Sequence, residues 1–455
     1  MEETATMQYQ PVDVLANPEA ENETSPTTAD VARQYEQYVF PQVKNLHIEP
    51  MVVTDGQGGR VTDLDERTYL DFFGGILTVS LGHANEEVNR AVIAQVQRLS
   101  HISTLYPTLP MGELAERLAR ITPGALQKCF FTASGSEADE AAIMMAQSYT
   151  GNTEIIALRH GYSGRTQLAQ GLTGNAAWRG SGDRASVVRH ALAPYCYRCP
   201  LKLTYPKCGV ACAHDVEELI RTATSGQVAG MLVEPIQGVG GFITPPEEYF
   251  AIVAEIVRKY GGVFIADEVQ TGFGRTGRMW GIEHHGVEPE MMTMAKGIAN
   301  GLPLGALVAT APVADSLHKS TISTFGGNPV SCAAANTVID IVERDNLAAN
   351  ARRQGERLRD GLLRIQGRFP ARIGDVRGRG LMQALELVAD ETAGDRTPAP
   401  ELTQALLDAA RARGLMMGRG GTYNNVIRIS PPLNVSGAEV DEALGILDRS
   451  MAAVS

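Results

Sequence analysis

No apolar run in the 455 residues approaches the roughly 18 needed to cross a bilayer, so a membrane-spanning helix is not expected. Basic charge is not in excess either. Forty Lys and Arg stand against 52 Asp and Glu, and the net charge of −12 repels phosphate backbones and anionic membrane surfaces. Neither nucleic acid nor a membrane is expected as a partner. The first basic residue is Arg33, and nothing before it has the apolar stretch of a secretory signal, so residues 1–32 are expected to form a mobile acidic arm. Cysteine is scarce at six residues, and without an export signal a reducing, cytoplasmic setting is expected, where routine structural disulfides are not. No internal repeat shows, and the 47 glycines are scattered over loops instead of gathered into a linker. At this length a small binding module is excluded, and two or more cooperating domains around a large core are expected.

What is present reads as an α/β chain. From Met51, MVVTDGQGGRVTDLDERTYLDF shows short strands broken by glycine turns, the pattern of antiparallel hairpins. Residues 33–75 are therefore assigned to the N-terminal part of a small domain. Between about Leu105 and Thr324 the runs CFFT, EIIALR, GMLVEP, GGVFIADEV and GALVAT alternate with amphipathic helical stretches. Such alternation predicts right-handed βαβ crossovers and a mostly parallel central sheet, with functional loops at the strands' C-terminal ends. This large domain is placed at 76–328. Past Pro329 the chain turns helical through Glu356 to Arg364, then offers IGDVRGRGLMQALEL and NVIRISPPL as strands, so 329–455 is assigned to the C-terminal part of the small domain.

Three segments carry chemistry. In GGVFIADEVQTGFGRTG an apolar strand delivers Asp267 at its C-terminal end, directly before Val269 and Gln270. An acid there can simply cap the next turn. Twenty-nine residues later, MTMAKGIANGLPLG sets Lys296 among apolar and small residues. Most lysines are solvated surface residues, but a desolvated one has its pKa lowered toward the neutral amine that attacks an aldehyde. An acid able to keep a pyridine nitrogen protonated, together with an imine-forming lysine, is what pyridoxal phosphate chemistry demands. KCFFTASGSEADEAAIMMAQSY then supplies a phosphate cradle. A strand runs through Ser134, Gly135 and Ser136 into a helix whose Ala138, Ala142, Met145 and Tyr149 share one face. Ser136 can equally cap that helix in a box with Asp139, and both readings can hold.

With these segments in view, the chain resembles the class III aminotransferases, pyridoxal-phosphate enzymes of fold type I. The resemblance runs from about Arg33 to the C-terminus and is carried by DEVQTGFGRTG, AKGIANGLPLG, TFGGNP, EPIQGVGG, GSEADEAA and VRGRGLM in family order. It looks closest to the 4-aminobutyrate, alanine–glyoxylate type 2 and ω-aminotransferases. The resemblance implies that Lys296 anchors the cofactor and shuttles the proton, and that Asp267 partners the ring nitrogen. It implies that Val269 and Tyr162 cover the two ring faces, that Gln270 reaches the phenolic oxygen, and that Ser134, Gly135 and Ser136 hold the phosphate. Thr324 would reach the same phosphate from a neighbouring subunit, which makes the enzyme a homodimer, or a tetramer, with a site shared across subunits. For substrates it implies Arg428 for a carboxylate, Glu234 as the partner of Arg428 when an uncharged group is admitted, Arg165 for a distal carboxylate, and Ile76 on the wall. Without the family, Tyr162 would be an ordinary half-buried aromatic and Arg428 with Glu234 a buried structural ion pair.

The implied function moves an amino group from an ω-amino acid or primary amine to a 2-oxo acid such as pyruvate, glyoxylate or 2-oxoglutarate. Alternatives on the same scaffold are a broad amine–pyruvate transaminase in which Arg165 is structural, an aminomutase or a decarboxylase. Outside enzymes, a metal-dependent interaction protein on a dead cofactor fold is argued against by an intact Lys296 and Asp267. One departure stands out. Relatives read Tyr-His-Gly where this chain has Tyr162, Ser163 and Gly164. Separately, Cys196, Cys199, Cys208 and Cys212 fall in a C-x2-C-x8-C-x3-C pattern that can bind tetrahedral zinc, form loop disulfides, or stay reduced. No metal is assigned to the catalytic site.

Overall fold

The computed structural model describes residues 26–180 and 187–455. Most of the expected acidic arm lies outside these residues. Its last part does not extend as an arm, because a helix already runs from Thr28 to Tyr38, opened by a capping box between Thr27 and Asp30. Among the described residues no helix is long and apolar enough to cross a membrane.

Among the described residues sixteen strands build three sheets. The first is a hairpin sheet of β1 (Val53–Gln57), β2 (Arg60–Asp63) and β3 (Thr68–Asp71), antiparallel as the glycine turns require. The central sheet uses β4 (Leu126–Thr132), β5 (Ile155–Leu158), β6 (Val188–Ala191), β7 (Gly230–Val233), β8 (Val263–Asp267), β9 (Met291–Met294) and β10 (Gly305–Thr310) in the order β4-β10-β9-β8-β7-β5-β6. All its neighbours are parallel except β10, which runs against both β4 and β9. Its inner strands β5, β7, β8 and β9 are buried at every position. Helices cover both faces of such a sheet, which is why these strands read as continuous apolar runs instead of alternating ones. Truncating Phe264 at the centre of β8 would cost about 3–5 kcal/mol, the scale for a fully buried aromatic.

The C-terminal part contributes β11 (Ile373–Arg379), β12 (Met382–Asp390), β13 (Asp395–Pro398), β14 (Leu415–Met416), β15 (Gly418–Gly420) and β16 (Val426–Ile429). β14 pairs in parallel with β3, and His47 Nδ1 lies 2.9 Å from Asp408 Oδ1, so both chain ends meet in one smaller unit. The helix Pro329–Arg344, expected with that unit, packs instead against the helices Glu86–Arg98 and Leu109–Ile121, which moves the boundary to about Asp345. Tyr149 is a second correction. The helix Gly135–Thr150 buries Ala138, Ala142 and Met145 as its periodicity predicts, but Tyr149, in its last turn, emerges into solvent.

Candidate active site

Parallel pairing explains how residues far apart in sequence reach one place. β7, β8 and β9 are neighbours with Val233 level with Ala266 and Asp267 level with Thr293. Their C-terminal ends therefore release Glu234, Asp267 and Lys296 side by side at one edge of the sheet. Strand alternation decides between the adjacent acids Asp267 and Glu268. Glu268 faces away, where its carboxylate accepts from Gly281 N–H at 2.9 Å and Ile282 N–H at 2.8 Å and from the Thr271 hydroxyl. Asp267 faces the edge, is buried, and accepts only from Val269 N–H at 3.0 Å. Its other oxygen has no hydrogen-bond partner among the described residues. Burial pushes Asp267 up to about 6, against the Val269 N–H and Lys296, which favour its anion. Lys296 has φ +46°, a left-handed backbone unusual for lysine, and burial lowers its pKa while Asp267, Glu234 and Asp139 work the other way.

β4 lies on the same edge and runs into the helix Gly135–Thr150. The cap of that helix is Ser134, whose Oγ accepts from Glu137 N–H at 3.3 Å while the Glu137 carboxylate accepts from Ala133 N–H at 2.7 Å. The box between Ser136 and Asp139 is thus not formed, because the helix is capped two residues earlier. Ser136 is left facing the cleft, where its Oγ accepts from Arg165 N–H at 3.3 Å. Space there is tight: a Cβ on Gly164 would sit 1.9 Å from Ser136 Oγ, and one on Gly135 would meet Val269 Cγ2 and Ala295 Cβ at 3.4 Å.

Across the cleft, Glu234 accepts from Tyr162 N–H at 3.0 Å and from Gly238 N–H at 2.7 Å. Burial, reinforced by Asp267, pushes it up to about 8. Arg428 on β16 lies between the rings of Phe73 and Phe242, with its guanidinium carbon 4.9 and 5.7 Å from their centroids, and donates to Arg419 O at 3.1 Å and Gly238 O at 3.4 Å. Glu234 and Arg428 form no ion pair. Both oxygens of Glu234 accept from backbone N–H groups in this arrangement, and Arg428 has no carboxylate partner among the described residues. Burial lowers Arg428 to about 10, which keeps it a cation at neutral pH.

A family model for class III aminotransferases matches residues 41–451. The chain belongs to that family. It is 40% identical over 429 residues to the alanine–glyoxylate aminotransferase 2 homolog 2 of Arabidopsis thaliana, covering 94% of this chain and 88% of that one. It is also 40% identical over 415 residues to the 4-aminobutyrate aminotransferase of Mycobacterium leprae, covering 88% and 90%. Among solved structures, a thermostable (S)-enantioselective ω-transaminase from Thermomicrobium roseum superposes with TM-score 0.88 at 34% identity over 95% of this chain and all of that one. The fold is that of the fold type I transferases, and the protein is a pyridoxal-phosphate-dependent transaminase acting between amines or amino acids and 2-oxo acids.

The cleft of this aminotransferase fits the cofactor on its own chemistry. A primary amine, a buried carboxylate with a free oxygen, and a helix N-terminus beside a hydroxyl stand together. Gln270 adds a buried amide whose oxygen has no hydrogen-bond partner among the described residues. The rim holds further predicted residues. Ile76 lies exposed with φ +64°, a left-handed conformation that is a strained outlier for a β-branched side chain. Arg165 is exposed and its guanidinium has no partner among the described residues. Tyr162 meets Trp178 edge-on, centroids 5.7 Å apart, and burial raises its phenol pKa. Trp178 carried no motif, and only its rarity, as one of two tryptophans, could have marked it.

Thr324 does not turn inward. It sits exposed on a loop with Ile322 and Phe325. The four clustered cysteines line one cavity of about 20 Å³ and are all free. Among the described residues no group of three or more His, Cys, Asp or Glu is arranged to hold a metal ion. Burial raises the Cys196 thiol and pushes Cys212 up to about 11.

Proposed function

We propose that this aminotransferase takes ω-amino acids, such as 4-aminobutyrate or β-alanine, as amino donors and returns the amino group to a 2-oxo acid. One observation carries the reading. Two arginines serve the cleft in different settings, Arg428 buried between aromatic rings and Arg165 exposed beside Tyr162 with its guanidinium unpartnered. A structural Arg165 would be expected to hold a partner. Arg165 is therefore the group for a distal carboxylate and Arg428 the group for the carboxylate next to the reacting carbon. Kinship with the Mycobacterium leprae 4-aminobutyrate aminotransferase supports this reading.

In the proposed roles, Gly135 and Ser136 hold the phosphate with first-turn N–H groups and a hydroxyl, helped by the helix dipole. Ser134 serves there as the cap that fixes this turn. Asp267 fixes the ring nitrogen, Val269 and Tyr162 enclose the ring, and Gln270 satisfies its amide on the phenolic oxygen. Bound there, pyridoxal phosphate supplies an aldehyde for the amine and an electron-withdrawing ring that stabilises negative charge at the donor carbon. Lys296 Nζ, whose burial favours the neutral amine, takes the proton from the donor carbon and later returns one. Glu234 holds the backbone of Tyr162 and Gly238, and so positions both the ring-covering residue and the carbonyl that braces Arg428. Ile76 lines the substrate wall.

The active unit is proposed to be a homodimer. Thr324 and Phe325 adjoin the exposed segment bearing Leu105, Tyr106 and Leu109, because Asn328 donates to Ser100 O at 3.0 Å and Phe325 packs on His101. A contiguous apolar surface of this kind marks a subunit contact. A reducing, cytoplasmic setting is proposed from the free state of all six cysteines.

The test compares donors in the parent and in Arg165→Ala. Loss of one charge-assisted contact should weaken 4-aminobutyrate and β-alanine roughly thirtyfold and spare an uncharged primary amine. Equal activity on every ω-amino acid would instead make it a broad amine–pyruvate transaminase. A strict need for a separate 2-oxo acid excludes an aminomutase or decarboxylase. Borohydride treatment of the yellow protein should fix the cofactor on Lys296, and its recovery on any other peptide would remove Lys296 from this role.

A further inference from the structure

A second buried acid stands behind Asp267, and the reaction as described makes no use of it. Asp139 sits in the first turns of the helix Gly135–Thr150, which lies over β8 and β9. It is 1% exposed, and its Oδ1 has no hydrogen-bond partner. On β9 the residue level with Asp267 is Thr293, itself fully buried with an unpartnered Oγ1. The titratable groups that act on Asp139 are Asp267, Glu234 and Lys296, and those that act on Lys296 include Arg428. None of these cations forms an ion pair with either aspartate among the described residues.

Two carboxylates in one dry site cannot both be ionised without a cation between them, so the pair retains a proton. Hydrogen bonding decides which acid keeps it. Asp267 receives the Val269 N–H at 3.0 Å, a contact that favours its anion. Asp139 Oδ1 has no donor within hydrogen-bond geometry; the Thr293 hydroxyl and the Lys296 charge favour its anion, but burial and the charge of Asp267 outweigh them. We propose that Asp139 is a positioning residue that holds the proton of this pair and so leaves Asp267 as the one carboxylate presented to the cofactor's ring nitrogen. The proposal rests on Asp267 as the ring-nitrogen partner. Burial, with the charge of Asp267 added, pushes Asp139 well above the ordinary carboxyl range, in the same direction as the geometry.

The experiment reads the protonation directly. The holoenzyme at neutral pH should show infrared carbonyl stretches of protonated carboxyl groups, that of Glu234 among them, of which one component disappears in Asp139→Asn and persists in Asp267→Asn. Loss of that band in Asp267→Asn but not in Asp139→Asn would reverse the roles and overturn the proposal, as would a spectrum unchanged by either substitution. A companion measurement uses the cofactor-free protein. An acid whose pKa is raised by folding contributes stability below its unfolded value near 4, and that contribution is lost as pH rises toward the folded value. Asp139→Asn should therefore shrink the fall in Tm between about pH 5 and about pH 8. An unchanged fall would refute a proton held on Asp139. If Asp139→Asn does not accumulate, the smaller Asp139→Ser replaces it in both measurements. Failure of the underlying reading looks different: Asp267→Asn would then keep nearly full turnover, whatever the band does.

Discussion

Replacing Arg428 by glutamine should separate substrate recognition from stability. Arg428 is 5% exposed, held by Arg419 O and Gly238 O between two rings, and forms no ion pair among the described residues. It remains a cation because its pKa of about 10 stands well above neutrality. A substrate carboxylate that reaches it gains a charge-assisted, bidentate contact worth about 2–3 kcal/mol, so its loss should lower kcat/KM for pyruvate roughly 30- to 150-fold. Folding pays the opposite way. An unpaired buried cation is a cost to the native state, as its lowered pKa shows, so Arg428→Gln should not lower the Tm of the cofactor-free protein. The assay is single turnover, with an uncharged amine bleaching the cofactor's visible band and pyruvate restoring it. The first step should hold its rate and the second should slow. An acceptor step slowed less than about threefold, or an uncharged amine slowed equally, would refute the carboxylate role of Arg428.

Asp267→Asn should keep the cofactor but lose turnover on the order of a hundredfold or more, since an amide cannot stabilise a ring cation by charge; steady-state rates with spectroscopic cofactor counting check this. Cys196→Ser should leave Tm unchanged in reductant, and metal analysis should find no stoichiometric zinc, because no donor set is arranged for it. One zinc per chain, lost together with stability in Cys196→Ser, would reverse that view. Leu109→Glu places a charge on a residue 80% exposed in the single chain. It should shift the molecular mass by light scattering from dimer to monomer and reduce activity with it, if Thr324 completes a neighbour's phosphate site.

Why Lys296 and Asp267 were legible, while Asp139 and the freedom of Arg428 were not, is a matter of range. A strand that ends on an acid, and a lysine set among small residues before a glycine, are local patterns, and parallel pairing of β8 with β9 then brings them together without further information. β9 itself escaped notice because MMTM has little β-branched content, and β6, VRHA, because it is a short mixed edge strand. Ser136 and Asp139 read as cap and box because spacing cannot say where a helix begins; two residues of register turn a surface cap into an acid beneath the cleft. The setting of Glu234 was hidden for a comparable reason. Opposite charges in one site suggest a bond, yet backbone N–H groups of Tyr162 and Gly238 compete for the same oxygens, and a sequence does not display its backbone donors.

Strain around the cleft follows from the same edge geometry. Ile76, Leu77 and Lys296 all carry positive φ, which costs each non-glycine residue on the order of 1–3 kcal/mol. Glycine at any of the three would relieve that cost and remove the side chain. At Lys296 that side chain is the proposed proton carrier, and at Ile76 the proposed substrate wall, so the strain is retained where function needs a group that the favoured backbone would aim elsewhere. Ile76→Gly should accordingly raise the Tm or leave it unchanged while it loosens discrimination among donors. A variant that loses stability without any change in donor preference would show that Ile76 is held for packing, and its half-exposed position argues against that outcome.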